Sequence, residues 1–240
     1  MLTVLRSSVM RSMGRSFSSR AASLDNLDAQ QQAAMMNENC FLVDETDKII
    51  GKASKKNCHL VNNGELLLHR AFSVFLFNKK GDLLLQKRSP YKITYPNCYT
   101  NTCCSHPIAE VAGEENGTEG VKRAAIRRLN YELGIPIESM PLEKFEYITR
   151  ILYKFSDGTW GEHELDYIFF FKDDVEVDPN PNEIAEVRYI GKNEVDSFVS
   201  DIKEPLSPWF RLILKEKLKF WWEHLDNLDA IKDHKNISKF

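Results

Sequence analysis

Residues 118–133 constrain this chain more than any other stretch. Val121, Ala124, Ala125, Leu129 and Leu133 recur at helical spacing, and Gly134 and Pro136 stop the run. Thr118 suits the N-cap, and Glu119 suits the positive end of the helix dipole. On a wheel of about 100° per residue with Val121 as zero, the apolar side chains span from about 300° to about 120°. Glu132 falls near about 20° and Arg128 near about 340°, inside that stripe. Arg123 and Arg127 point away. A carboxylate on a buried face costs several kcal/mol unless it is paired or metal-bound. Either Arg128 and Glu132 form an i, i+4 structural pair, or the helix carries a site on its inner face.

The partner layer reads as a sheet. Residues 71–77 have strand composition, 78–82 make a turn, and 83–88 return as a second strand. Residues 40–51 read as a hairpin with Glu45, Thr46 and Asp47 at its turn. Two more strands, 145–155 and 164–171, flank a turn at Ser156, Asp157 and Gly158. Residues 25–38 read as a lead-in, 52–64 as a polar segment and 89–107 as a loop. Near the end Ser207 caps and Pro208 starts an apolar helix with Trp209, Phe210, Leu212, Ile213, Leu218, Trp221 and Trp222. No internal repeat is visible. This mixture predicts an α+β fold, a mixed sheet with helices packed on it in one domain.

Composition narrows the class. The chain has 240 residues, 42% hydrophobic and 28% charged, which excludes a disordered tail protein. No run of about 18 apolar residues is present, so no membrane-spanning helix is expected. Lysine and arginine total 32 against 35 acids, a net charge of −3 that gives no support for nucleic-acid binding. Residues 1–24 depart from this average. They hold Arg6, Arg11, Arg15 and Arg20, many serines and no acid, the pattern of a mitochondrial transit peptide. The five cysteines are Cys40, Cys58, Cys98, Cys103 and Cys104. Their odd number and the absence of a secretory segment predict free thiols.

Several polar residues do not suit a plain core. On a strand, Glu162 and Glu164 project to one face and His163 to the other. Two carboxylates this close tolerate each other best with a cation between them or with one protonated. His59, His69 and His106 lie on three separate segments, without the spacing of a zinc finger. Imidazoles with carboxylates suit a hard or borderline divalent ion. Lys55, Arg88 and Lys92 flank the same segments and suit a phosphate or diphosphate. Taken singly, each also has a plainer reading, as a hydrogen-bonded histidine, an exposed edge carboxylate or a solvated surface charge.

Gly113, Glu119, Arg127, Leu129, Glu132, Gly134 and Ile135 fall at the spacings of the Nudix box, G-x5-E-x7-R-E-U-x-E-E-x-G-U. The chain thus resembles the Nudix superfamily, which implies a mixed sheet sandwiched by helices. Arg128 and Tyr131 occupy two of the box's glutamate positions. That loss removes charge the hydrolases use to hold the magnesium that activates water. A Nudix pyrophosphohydrolase and a non-catalytic Nudix-fold binding module are the alternatives considered. The segments TNTCCSHP at 100–107, WGEHELDYI at 160–168, CHL at 58–60, HRAFSVFLFN at 69–78 and SPWF at 207–210 closely resemble one Nudix-fold family, the type I isopentenyl-diphosphate delta-isomerases. The resemblance runs from about residue 28 to about 235 in one order. It implies a core over about 68–200 and a C-terminal helical segment over 207–235.

The resemblance also implies roles. His59, His69, His106, Glu162 and Glu164 match the ligands of a divalent metal. Glu132 matches a carboxylate that helps hold the magnesium of the substrate diphosphate. Cys104 matches the catalytic cysteine, with Cys103 a neighbour without a chemical role. Glu164 matches the second catalytic residue and Tyr153 the tyrosine bonded to it. Lys55, Arg88, Lys92 and Ser105 match diphosphate-binding positions, and Trp209 the tryptophan facing the reacting carbons. The implied activity is the interconversion of isopentenyl and dimethylallyl diphosphate, by proton transfer through a carbocation-like intermediate, in isoprenoid and sterol biosynthesis. Glu164 is expected to deliver the proton and a Cys104 thiolate, populated by nearby cations, to remove the other, with roles exchanging in reverse. Mg2+ is the expected cofactor, with Mn2+ or Zn2+ as alternatives in the histidine site. The expected partner is a small diphosphate, with no nucleic acid, for a monomer or weak oligomer. The mitochondrion is the expected location, with cytosol or peroxisome as alternatives, the latter from a weak S-K-L-like end at Ser238, Lys239 and Phe240.

Overall fold

The computed structural model describes residues 28–240, so the leader read over 1–24 lies outside the described residues. The chain opens with α1 (Ala29–Asn37), β1 (Asn39–Val43), β2 (Ile49–Ser54) and α2 (Lys55–His59). Next come β3 (His69–Phe77), β4 (Leu83–Arg88), β5 (Tyr99–Thr100), β6 (Cys103–Ser105) and the long helix α3 (Gly117–Leu133). Then follow β7 (Glu146–Ser156), β8 (Gly161–Lys172), β9 (Ile184–Ile190), α4 (Val195–Asp201), α5 (Pro208–Ile213), α6 (Lys219–Glu223) and β10 (Asp233–Lys239).

The main path through the sheet runs β10-β7-β8-β3-β1-β2. β7 and β8 form an antiparallel hairpin, whereas β3 and β8 lie parallel. Every residue of β3 is buried, as a strand covered on both faces requires. On one face Phe72, Val74 and Leu76 meet Val121, Ala125 and Leu129 of α3. On the other, Phe75, Phe77 and Phe170 meet Phe210, Trp221 and Trp222 of the C-terminal helices. The fold is the α+β sandwich expected.

Local details differ from expectation. Residues 29–37 are helical rather than a lead-in. Asp28 caps this helix by accepting from the Gln30 and Gln31 amides, and buried Gln31 bonds Asn182 and Glu183. The polar segment 52–64 contains α2, capped by Ser54 Oγ. The 89–107 loop holds the two short strands β5 and β6. α3 starts one residue before Thr118, with Asn116 at the cap position. It ends as read, at a left-handed Gly134 with φ +66°. β3 and β4 do not form the expected hairpin, because they pair only at Phe77 and Leu83. β6 takes the β3 edge at Phe72–Val74, and β4 turns away to pair with β9 and β5. The apolar C-terminal helix is not continuous to 235. A π-helical turn, Leu214–Leu218, joins α5 to α6, the helix stops at Glu223, and β10 adds parallel to the outer edge of β7.

Candidate active site

The pleat of β8 aims three carboxyls, Glu162, Glu164 and Asp166, at one face. All are almost fully buried. Register then fixes their neighbours. Glu164 lies opposite His69 on β3 and opposite Tyr153 on β7. Tyr153 Oη donates to Glu164 Oε2 at 2.5 Å. On the far side of β3, β6 sets Cys104 opposite Ser73, and His106 follows directly. The last residue of α2 brings His59 to the same point.

The three imidazoles meet with ring centroids 4.9 to 5.0 Å apart. The Nδ1 atoms of His59 and His69 lie 2.7 and 2.8 Å from the carbonyls of Lys55 and Leu67. A carbonyl only accepts, so both protons sit on Nδ1 and each Nε2 turns to the carboxylates. His59 Nε2 lies 3.1 Å from Glu162, His69 Nε2 3.3 Å from Glu164, and His106 Nε2 2.9 Å from Glu164. One donor atom from each of the five residues falls within 4.8 Å of all the others. The buried His69 Nε2 has no hydrogen-bond partner in the protein. Donor number, burial and the chemistry of the set fit a divalent cation.

The protonation states follow from this packing. Burial, then the Glu164 charge, pushes Glu162 well above the ordinary carboxylate range. Burial acts on Glu164 in the same sense, but the adjacent His106 and His69 imidazoles outweigh it and hold Glu164 well below that range. Burial and the two neighbouring imidazoles push His59 down, and burial takes His106 to about 4. The surroundings of Cys104 act against the expected thiolate. Burial, then the Asp166 and Glu164 carboxylates, pushes the thiol well above its ordinary value.

Glu132 does not join the five-donor group. Its carboxylate accepts from Arg128 at 2.7 Å and from Gln86 at 3.3 Å. The i, i+4 pair is therefore real, and Arg128 also lines the cavity and approaches Glu183 at 3.4 Å. Arg88 extends from the end of β4, Lys55 from the start of α2, and Lys92 from the loop between β4 and β5. With Ser105, Cys104, His106, Glu162, Glu164 and Trp209 they line one cavity of about 40 Å³. Lys55 pairs with Glu38 at 3.2 Å and Lys92 with Glu183 at 2.6 Å. The Arg88 guanidinium donates to the Tyr95 and Thr94 carbonyls and lies 5.5 Å from the Trp209 ring. Trp209 is itself fixed by a bond from Nε1 to Asn101.

The pleat of β6 separates the adjacent cysteines. Cys103 is wholly buried in the cluster beneath α3, whereas Cys104 faces the cavity. Sequence reasoning missed Ser73, Asp166 and Glu183. Ser73 Oγ lies 2.8 Å from Asp166 and 3.6 Å from the Cys104 sulfur. The signal for Asp166 was present, since it stands two residues beyond Glu164 on the same strand face. Glu183 carried no local signal.

The fold and this constellation define a NUDIX domain, whose family model matches residues 67–210. A Deinococcus radiodurans crystal structure has the same fold, with a TM-score of 0.51, 19% identity, and coverage of 75% of this chain and 100% of that one. Among curated proteins, isopentenyl-diphosphate delta-isomerase 1 of Bos taurus is 50% identical over 225 residues, spanning 90% of this chain and 98% of that protein. Isopentenyl-diphosphate delta-isomerase I of Clarkia breweri is 48% identical over 239 residues, spanning 93% and 83%. The chain belongs to the isopentenyl-diphosphate delta-isomerase family.

Proposed function

We propose that this cavity interconverts isopentenyl and dimethylallyl diphosphate by moving one proton onto C4 and another off C2. The observation that carries the reading is that Cys104 and Glu164 line one buried cavity whose wall also carries lysine and arginine. A 1,3 shift needs such an acid–base pair beside the carbon skeleton. Thiol and carboxylate form one starting pattern, in which Cys104 gives and Glu164 takes; the reverse direction starts from the other. Tyr153 holds Glu164 in place. Lys55, Arg88, Lys92 and Ser105 anchor the diphosphate, turning binding energy remote from the carbons into positioning. The Trp209 ring, 2% exposed, offers a π face to developing positive charge, worth about 2 kcal/mol when desolvated. Burial of the cavity keeps water from the cation.

His59, His69, His106, Glu162 and Glu164 would hold a divalent cation. We assign Mg2+, with Mn2+ or Zn2+ as alternatives, and its charge would stabilise both carboxylates side by side. Glu132, paired with Arg128, is assigned to the magnesium carried by the substrate diphosphate. That pairing also speaks against a hydrolase, because a guanidinium stands where the Nudix box has a glutamate.

Formation of labelled dimethylallyl diphosphate from isopentenyl diphosphate with Mg2+ tests the reading; no product from metal-loaded protein would sink it. Among the described residues no helix is long and apolar enough to cross a membrane. An Arabidopsis thaliana relative is named chloroplastic, so organellar forms occur among the relatives. Residues 1–24 are assigned here as a mitochondrial leader. A fluorescent fusion that stays diffuse with and without them would refute this.

A further inference from the structure

An apolar groove of about 530 Å³ lies beside the cavity, its walls including Phe155, Leu206, Leu212 and Phe240. Two tyrosines of the groove also reach residues of the cavity. Tyr153 lines the groove while its hydroxyl reaches Glu164 in the cavity. Tyr95 also lines the groove, and its ring meets Trp209 of the cavity edge-on, with centroids 5.5 Å apart. The Tyr95 ring also meets Phe155, with centroids 6.0 Å apart.

The Tyr95 hydroxyl is buried without a hydrogen-bond partner, so it does not hold the ring. What the ring supplies is bulk. The residue has φ +48°, an unfavourable backbone for a bulky side chain. Arg88 keeps it there by donating to the carbonyls of Tyr95 at 3.0 Å and Thr94 at 2.8 Å. A cation facing the diphosphate thus also fixes the aromatic wall.

We propose that Tyr95 is a specificity-determining residue: its ring closes the hydrocarbon end of the cavity and limits the group on C3 of the substrate to a methyl. This rests on the isomerase reading. A longer alkyl group at C3 has to pass where the ring stands, and beyond it the groove is apolar enough to receive it. The chemistry is unchanged for such a homologue. One proton is gained at C4, one is lost at C2, and the double bond moves without any co-reactant.

The test compares isopentenyl diphosphate with the homologue carrying hexyl in place of the C3 methyl, using the full chain with Mg2+. The ratio of the two kcat/KM values is the readout. Tyr95→Gly, whose backbone accepts a positive φ, should raise the relative rate of the long homologue by about tenfold or more, the scale on which a pocket discriminates apolar groups. Tyr95→Phe should leave the ratio unchanged. Tyr95→Asn tolerates the same backbone and serves as a second opening variant. An unchanged ratio in both overturns the proposal. So does loss of all turnover in both, because a wall that only limits size is not needed for the five-carbon substrate. Failure of the unaltered protein to isomerise isopentenyl diphosphate would instead sink the function itself.

Discussion

Two adjacent cysteines on β6 show how far one residue can differ from the next. Cys104→Ala should abolish turnover. Cys103→Ala should keep kcat and lower stability by about 1 kcal/mol, the scale of a small core truncation, read by thermal unfolding. The reverse pattern would exchange their roles. Composition does not separate two neighbouring thiols; the pleat does, by turning one under α3 and the other into the cavity. Lys92 gives a pH signature. Burial lowers its ammonium to about 8, although Glu183 at 2.6 Å pulls the other way. In the proposed function the charged form binds the diphosphate, and it is lost as pH rises through about 8. Hence kcat/KM should fall above that pH. Lys92→Arg, charged throughout, should move the fall to higher pH, and an identical profile in the variant would refute the assignment.

At the scale of elements, the β7–β8 hairpin carries the most chemistry and was the most legible. Its two apolar runs and the Ser156–Gly158 turn announce it, and the alternation at Glu162 and Glu164 sets their face. The elements missed are those whose reason lies elsewhere in the chain. α1 is held by Gln31 reaching Asn182 and Glu183, β9 by β4, and β10 by the open edge of β7. None of these partners is near in sequence, so local periodicity is silent about them. Gly161 tests how closely the hairpin is built. A Cβ there would lie 2.5 Å from the Phe155 carbonyl and 2.6 Å from Leu66 Cδ1. The carbonyl belongs to the paired strand and does not yield. Gly161→Ala should therefore cost about 1–3 kcal/mol, as overpacking does, a fall in Tm of about 2–10 °C. It should also weaken cation binding, since Glu162 is the next residue. An unchanged Tm would show that the hairpin relaxes freely.

Across the whole molecule, the site draws on residues from Lys55 to Trp209, and its recognisable motifs were legible one by one. Their convergence was not. It depends on the parallel register of β3 and β8 and on α2 folding back over them. Two carboxylates and three imidazoles buried together make the fold depend on what they bind. Chelation should abolish activity and lower Tm, and adding Mg2+ back should restore both. At a free ion concentration of about 100 times Kd, the linkage is worth about 2.7 kcal/mol. A Tm indifferent to chelator and to added ion would mean the five residues hold no cation in solution.

The parallel pairing of β3 with β8 also sets an order in time. During synthesis His59, His69 and His106 leave the ribosome well before either glutamate, and β3 waits through all of α3 and β7 for its partner. Pairings so distant along the chain form late, because the intervening segment must be closed before the contact is rewarded. A nascent chain halted before Gly161 has three imidazoles and no Glu162 or Glu164. Ion uptake at this centre would thus be a clock for completion of the sheet, starting only when β8 has docked.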